Sequence, residues 1–118
     1  MRRKKKKPAV WGWNIHPGEI LREEFLKPLG ITVYELAKRV HLTRSRVNDI
    51  VRGHRAVTAD TALRLAKFFG TTPAFWMNLQ TTYELREAAN SSAREIEAIE
   101  HIPMPMGTRH PLESVHSQ

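Results

Sequence analysis

Arg44, Ser45, Arg46 and Asn48 follow Thr43 within five positions, and Arg52 and Arg55 come shortly after. Their side chains suit one kind of chemistry. An arginine fork can bind both acceptors of guanine, asparagine can bind adenine in the same two-point manner, and serine serves base edges or phosphates. A threonine followed by the free N–H groups of a helix start suits a phosphate. Such contacts need a rigid support. Val47, Ile50 and Val51 recur on one face of a short helix, which puts Arg44, Ser45, Arg46, Asn48 and Asp49 at its start and outer side. Arg52 and Arg55 flank Gly53-His54, where the chain leaves the helix, and are placed to clamp a nucleic-acid backbone. A plainer reading stands beside this one. Arg46 and Asp49 are three residues apart and would make a helix-surface pair worth a few tenths of a kcal/mol, and Asn48 would be ordinary surface.

The elements that would position these residues are two short helices, Thr32–Val40 and Thr43–Arg52, joined only by His41-Leu42. A helix-turn-helix unit needs a small residue at the crossing and apolar residues on the facing sides. Ala37 is the small residue, and Leu36, Val40, Leu42, Val47 and Ile50 are the apolar ones. The start of the second helix is the part that enters a major groove. Tyr34 and Lys38 are further candidates on the preceding helix. His41 stands where glycine is usual, because the turn often needs a left-handed backbone; histidine tolerates that better than most residues.

The remaining pattern is also helical. Pro17 suits a first helical position, Ile20, Leu21, Phe25 and Leu29 share a face, and Gly30 stops the segment. Thr32 and Glu35 form a capping-box pattern. Thr43 caps the next helix and Gly53 closes it. Thr58 caps a fourth helix, with Ala62, Leu63, Leu65, Ala66 and Phe69 inward and Gly70 at its end. Thr72-Pro73 opens a fifth, running through Trp76, Leu79, Tyr83 and Leu85, with a break near Asn90 and a continuation to about Glu100. No segment alternates with a period of two. The expectation is an all-α protein of five or so helices: a basic arm over 1–14 ending in Trp11-Gly-Trp13, a helical unit over 15–100 and an irregular tail over 101–118.

The 118 residues suffice for one modest core, and 41% of them are hydrophobic. The net charge of +7 comes largely from Arg2 to Lys7. Beyond that arm the charge is uneven: Lys38 to Lys67 holds eight basic and two acidic residues, Glu84 to Glu100 five acidic and two basic. A basic stretch is a nucleic-acid footprint or ordinary solvated surface. The chain has no cysteine, which removes disulfides and thiolate metal sites and fits a reducing cytoplasm. No apolar run approaches the roughly 18 residues of a membrane span. The histidines are scattered without metal-ligand spacing, and no nucleophile motif or phosphate loop occurs. The expectation is a protein without catalytic residues, metal or cofactor.

From His16 to about Leu85 the sequence resembles the HigA family of antitoxins, a branch of the lambda-repressor-like (XRE) helix-turn-helix proteins. The resemblance is carried by HPGEIL, EEFLKPLGIT, RAVTADTALRL and FWMNLQ together. It implies a cytoplasmic homodimer with two activities. One is neutralisation of a HigB-type toxin, a RelE-like mRNA endonuclease; the other is repression of its own operon through a palindromic operator. By matched position, Thr43, Arg44, Ser45, Arg46 and Asn48 belong to the recognition helix. Many relatives carry glutamine at the start of the preceding helix, where this chain has Val33-Tyr34. In the FWMNL segment, Phe75, Trp76 and Leu79 are assigned mainly to the core. Trp76, Leu79, Tyr83 and Leu85, with the following helix, are assigned to pairing of two copies. The toxin's seat is left between the acidic run from Glu84 to Glu100 and the first helix, with Glu19, Glu23 and Glu24. The basic arm either reaches a minor groove or phosphates, or has no fixed role. The rival to the antitoxin reading is a stand-alone XRE-type transcriptional regulator.

Overall fold

The computed structural model describes residues 14–105. The arm with Trp11 and Trp13, and the tail beyond residue 105, lie outside the described residues. Within them the protein is all helical. The first helix, α1, runs over 17–29 as Pro17–Ile20, a π-helical stretch Leu21–Leu26, and Lys27–Leu29. It is followed by α2 (Val33–Val40), α3 (Arg44–Val51), α4 (Ala59–Phe69), α5 (Pro73–Ser91) and α6 (Ala93–Glu97).

Four helices start in the same way. The hydroxyls of Thr32, Thr43, Thr58 and Thr72 accept the N–H groups of Glu35, Arg46, Thr61 and Phe75. Each satisfies a donor that has no partner inside its helix. Only half of the capping box at Thr32 forms, because the Glu35 carboxylate pairs with Arg39 at 3.0 Å. At the other ends, Gly30, His41 and Gly70 take left-handed backbone conformations. His41, with φ 62° and ψ 46°, is the one residue other than glycine to do so among those described.

The core lies where α1 to α5 meet, and Leu36, Ala62 and Trp76 are wholly buried there. Trp76 sits in an aromatic cluster, 5.1 Å from Phe25 and 5.0 Å from Phe75 between ring centroids. Its indole N–H donates to the Thr71 hydroxyl at 2.8 Å. The long connection after α3 is fixed by a buried bond: the Val57 N–H donates to the Gln80 side-chain oxygen at 2.7 Å, and the Gln80 amide donates to Glu84 at 2.8 Å.

Five expectations need correction. Leu29 is exposed and Leu26 is buried in its place. The π turn, with the Lys27 N–H bonded to the Arg22 carbonyl, advances the inward face by one residue. Pro28 explains the turn, since it removes an α-type donor and its ring would strike the carbonyl four residues back. Leu63 is 58% exposed. The inward stripe of α4 is Thr61, Ala62, Leu65 and Ala66, and Leu63 lies about 200° around the helix from Leu65. Phe75 packs on the edge of the aromatic cluster but stays partly exposed. Trp76 has no surface with which to touch a second copy, because the aromatic cluster encloses it. Of the other pairing candidates, Leu79 and Tyr83 are half-buried and Leu85 is 66% exposed. The break expected at Asn90-Ser91-Ser92 falls at Ser92, as the sequence indicated, but the last helix stops at Glu97, short of about Glu100.

Replacing Gln80 by leucine keeps the volume and removes the acceptor of the buried Val57 N–H. The expected cost is about 1–3 kcal/mol, read as a lower urea midpoint at unchanged m-value.

Candidate nucleic-acid interface

Helix α3 is seated by Val47, Ile50 and Val51, all buried. That fixes its rotation. Arg44 and Ser45 project into solvent, and Arg46, Asn48 and Asp49 lie half-exposed along the same side. The Thr43 hydroxyl accepts the Arg46 N–H at 3.1 Å and keeps its own hydrogen for a further acceptor. The starts of α2 and α3 converge on one cleft of about 550 Å³, lined by Thr32, Val33, Tyr34, Arg44, Ser45 and Asn48. Two helix N-termini therefore face the same space, and both favour an anion.

Tyr34 stands at the centre of this cleft's cationic rim. The Arg44 guanidinium lies 5.6 Å and the Lys38 ammonium 5.9 Å from its ring centroid. The ring attracts both cations by cation–π interaction. Arg52 is exposed at the end of α3. Arg55 pairs with Asp49 at 3.8 Å. The surface pair considered for Asp49 is thus made with Arg55 and not with Arg46. Arg46 instead shares a small depression with Arg55, Ala56 and Thr58. The structure brings Thr43, Arg44, Ser45, Asn48, Tyr34 and Lys38 together, with Arg46, Arg52 and Arg55 further along the same helix and its exit.

Three residues missed at the level of single side chains hold α3 in place, and all lie in or next to HPGEIL. A Cβ on Gly18 would collide with the Ile50 carbonyl oxygen, so only glycine lets α1 lie on the backbone of α3. Arg22 donates to the Val51 carbonyl at 3.1 Å and is itself held by Glu23 at 2.9 Å. The Arg22 and Lys27 side chains hold the exposed Glu23 carboxyl below its ordinary range. His16 accepts the Gly18 N–H on Nδ1 at 2.8 Å, capping α1. Its ring packs edge-on to Tyr83 at 4.8 Å and backs Gly53, whose φ is 82°. Burial lowers the His16 pKa, a hydrogen bond with the Arg55 backbone opposes this, and the charge of His54 lowers it further. The HTH turn is held from α4, where Arg64 donates to the carbonyls of Val40 at 3.0 Å and His41 at 3.2 Å. The sequence signalled Gly18 only through its place in HPGEIL, since a glycine in a helical pattern points to a packing reason without naming its partner.

Two short helices joined by a tight left-handed turn, with the second presenting basic and amide side chains, define a helix-turn-helix DNA-binding unit. A family described as Helix-turn-helix matches residues 23–76. The virulence-associated protein I of Dichelobacter nodosus is 57% identical over 74 residues, covering 63% of this chain and 68% of that protein. Antitoxin HigA-1 of Vibrio cholerae is 36% identical over 95 residues, covering 80% of this chain and 84% of the relative. The antitoxin HigA of Pseudomonas aeruginosa, solved with the higBA promoter, superposes with a TM-score of 0.75 at 43% identity, covering 77% of this chain and 100% of that one. The chain belongs to the HigA family of antitoxins within the lambda-repressor-like helix-turn-helix proteins. No helix among the described residues is long and apolar enough to cross a membrane.

The cap at His16 predicts a pH dependence. The folded pKa lies below the unfolded value of about 6.5, so the unfolded chain takes up the proton first. The stability is present in full above about pH 6.5 and is lost as the pH falls from there toward the folded pKa. Protonated Nδ1 can no longer accept the Gly18 N–H. His16→Asn keeps a capping acceptor that does not titrate, and should flatten the change in urea midpoint between pH 7 and pH 5.

Proposed function

We propose that this protein represses its own operon as a dimer on a palindromic operator and neutralises a HigB-type toxin, a RelE-like mRNA endonuclease, encoded beside it. The observation that carries the DNA half is the cleft at the paired helix starts, with Arg44 laid on Tyr34. In this reading Arg44 and Asn48 read base edges, and Ser45 and Arg46 serve bases or phosphates. Thr43, Tyr34 and Lys38 take phosphates at the near strand. Arg52 and Arg55 clamp the backbone where α3 ends. Residues 15–100 act as one unit, and the basic arm adds phosphate contacts. Two copies meet through the exposed later part of α5, where Leu85 projects with Tyr83 and Leu79 behind it. A two-fold dimer then presents two α3 helices about one turn of DNA apart, roughly 34 Å.

The toxin half is supported by kinship with the Vibrio and Pseudomonas antitoxins and by charge. A toxin that acts on message carries a basic surface, and the acidic residues from Glu84 to Glu100 complement it. A stand-alone regulator is the alternative, and relatives include uncharacterised HTH-type regulators.

Arg44→Ala should weaken binding to the chain's own upstream DNA by about 1–3 kcal/mol while circular dichroism stays unchanged. Fluorescence anisotropy against that DNA and a scrambled duplex measures it, and equal affinities for both proteins would exclude direct readout by Arg44. Co-expression with the adjacent reading frame tests the second activity. Growth inhibited by that frame alone should be restored by this protein; absence of rescue would leave the regulator reading.

A further inference from the structure

Two exposed surfaces away from the start of α3 complement each other. The first is a groove of about 610 Å³ between the C-terminal end of α2 and the outer side of α4. Leu63 and Phe68 form its apolar floor, and Arg39, Arg64 and Lys67 surround it with Asp60 as the sole acidic lining residue. The Arg39 guanidinium lies 5.2 Å from the centroid of the Phe68 ring. Arg64 is already paired with Asp60 at 2.8 Å and Arg39 with Glu35 at 3.0 Å, whereas Lys67 makes no ion pair among the described residues. The second surface is the segment from Glu95 to Met104. Glu95, Glu97 and Glu100 alternate there with Ile96, Ile99, Ile102 and Met104. All four apolar side chains are exposed, Ile99 and Ile102 at 72%. The α6 part of this segment packs chiefly on the end of α5.

Isoleucines left this open mark a surface that a partner covers. The groove offers apolar contact with an excess of positive charge; the segment offers apolar contact with an excess of negative charge. One chain carries both, so two copies can satisfy both by reciprocal exchange, which is the self-complementary contact of a two-fold dimer. We propose that residues 95–104 of one copy lie in the α2–α4 groove of a second copy. Ile99 and Ile102 rest on Leu63 and Phe68, and Glu97 and Glu100 face Lys67 and Arg39, which leaves Glu84 and Glu87 of the acidic run for the toxin. The inference rests on the two-copy reading above and adds a second contact between the copies beside the one at α5. It also puts a partner's side chains against the end of α2, beside the turn that Arg64 fixes.

The chain has no cysteine, so single cysteines introduced at exposed positions are clean probes. Full-length Leu63→Cys and Ile99→Cys proteins are mixed, oxidised and run on a non-reducing gel, and the wild type is sized by sedimentation equilibrium. The expected result is a dimer in sedimentation and a thiol-reducible covalent dimer in the mixture, at least ten times more abundant than in either protein alone. Ile99→Asp, at an exposed site, should keep its helix content and raise the dimer dissociation constant at least tenfold. A wild-type dimer with no preferential cross-link in the mixture would overturn the surface and leave the two-copy reading standing. A wild-type monomer would overturn both. An internal disulfide in a monomeric Leu63→Cys/Ile99→Cys double variant would show the segment folding onto its own chain, and would also overturn the proposal.

Discussion

Helix α3, the second helix of the helix-turn-helix unit, is held through its backbone, and the contact on which this depends is that of Gly18 with the Ile50 carbonyl. Side chains on packed helices usually keep the two backbones some 8–10 Å apart. Removing one side chain at the crossing lets α1 approach more closely. Pro17 and the His16 cap fix where α1 begins, so the glycine meets α3 in one register. Arg22, a turn further along α1, takes the Val51 carbonyl. The C-terminal end of α3 thereby meets protein donors or is closed by its own turn through Gly53 and His54. The N-terminal end is left open. This asymmetry has an electrostatic consequence: the unpaired N–H groups at the start of α3 are directed outward, where a phosphate can meet them.

The turn between α2 and α3 shows how a locally unfavourable residue is accommodated. A left-handed backbone at a residue with a Cβ costs roughly 1–2 kcal/mol, and His41 carries that cost. Arg64 supplies two charge-assisted bonds to carbonyls at that turn. Hydrogen bonds to charged groups contribute about 1.5–3 kcal/mol each before the entropy of fixing the side chain, enough to offset the strain. The same arginine thus ties the angle between the two helices to α4, and anything that presses on α4 near Arg64 acts on the DNA-facing unit.

The parts of this arrangement governed by local rules were readable from the sequence. Four threonines start helices because each hydroxyl can serve the N–H three residues on. The left-handed turn at His41 followed from where glycine is usual. The inward trio Val47, Ile50 and Val51 was sufficient to give α3 its rotation, and with it the side on which Arg44 and Asn48 stand. What escaped was set by tertiary geometry. The face of α1 slips by one residue because of a π turn that no periodicity of 3.6 can contain. Leu63 has a core residue's chemistry and the wrong angle around α4. Trp76 has the chemistry of an interface residue, yet Phe25, Phe69 and Phe75 enclose it. The Asp49–Arg55 pair could not be chosen over Asp49–Arg46 without knowing how the chain leaves α3. Gly18 was legible only as part of a family motif, since its reason is an atom in a helix thirty residues away.

The division of charge along the chain fits the same geometry. A DNA-binding unit with a strongly acidic segment would repel its own ligand if that segment lay near the recognition face. Helix α2 has eight residues, so its two ends are about 12 Å apart. Tyr34 lines the cleft at one end, and Arg39 and His41 border the groove at the other. That separation is close to the screening length of roughly 8–10 Å at moderate salt. Carboxylates seated in the groove would meet Lys67 and the Arg39 guanidinium directly, while their field at the cleft would be largely screened. Docked in this way, the acidic segment would cancel positive charge where it would attract nucleic acid without specificity, and would leave it at the paired helix starts.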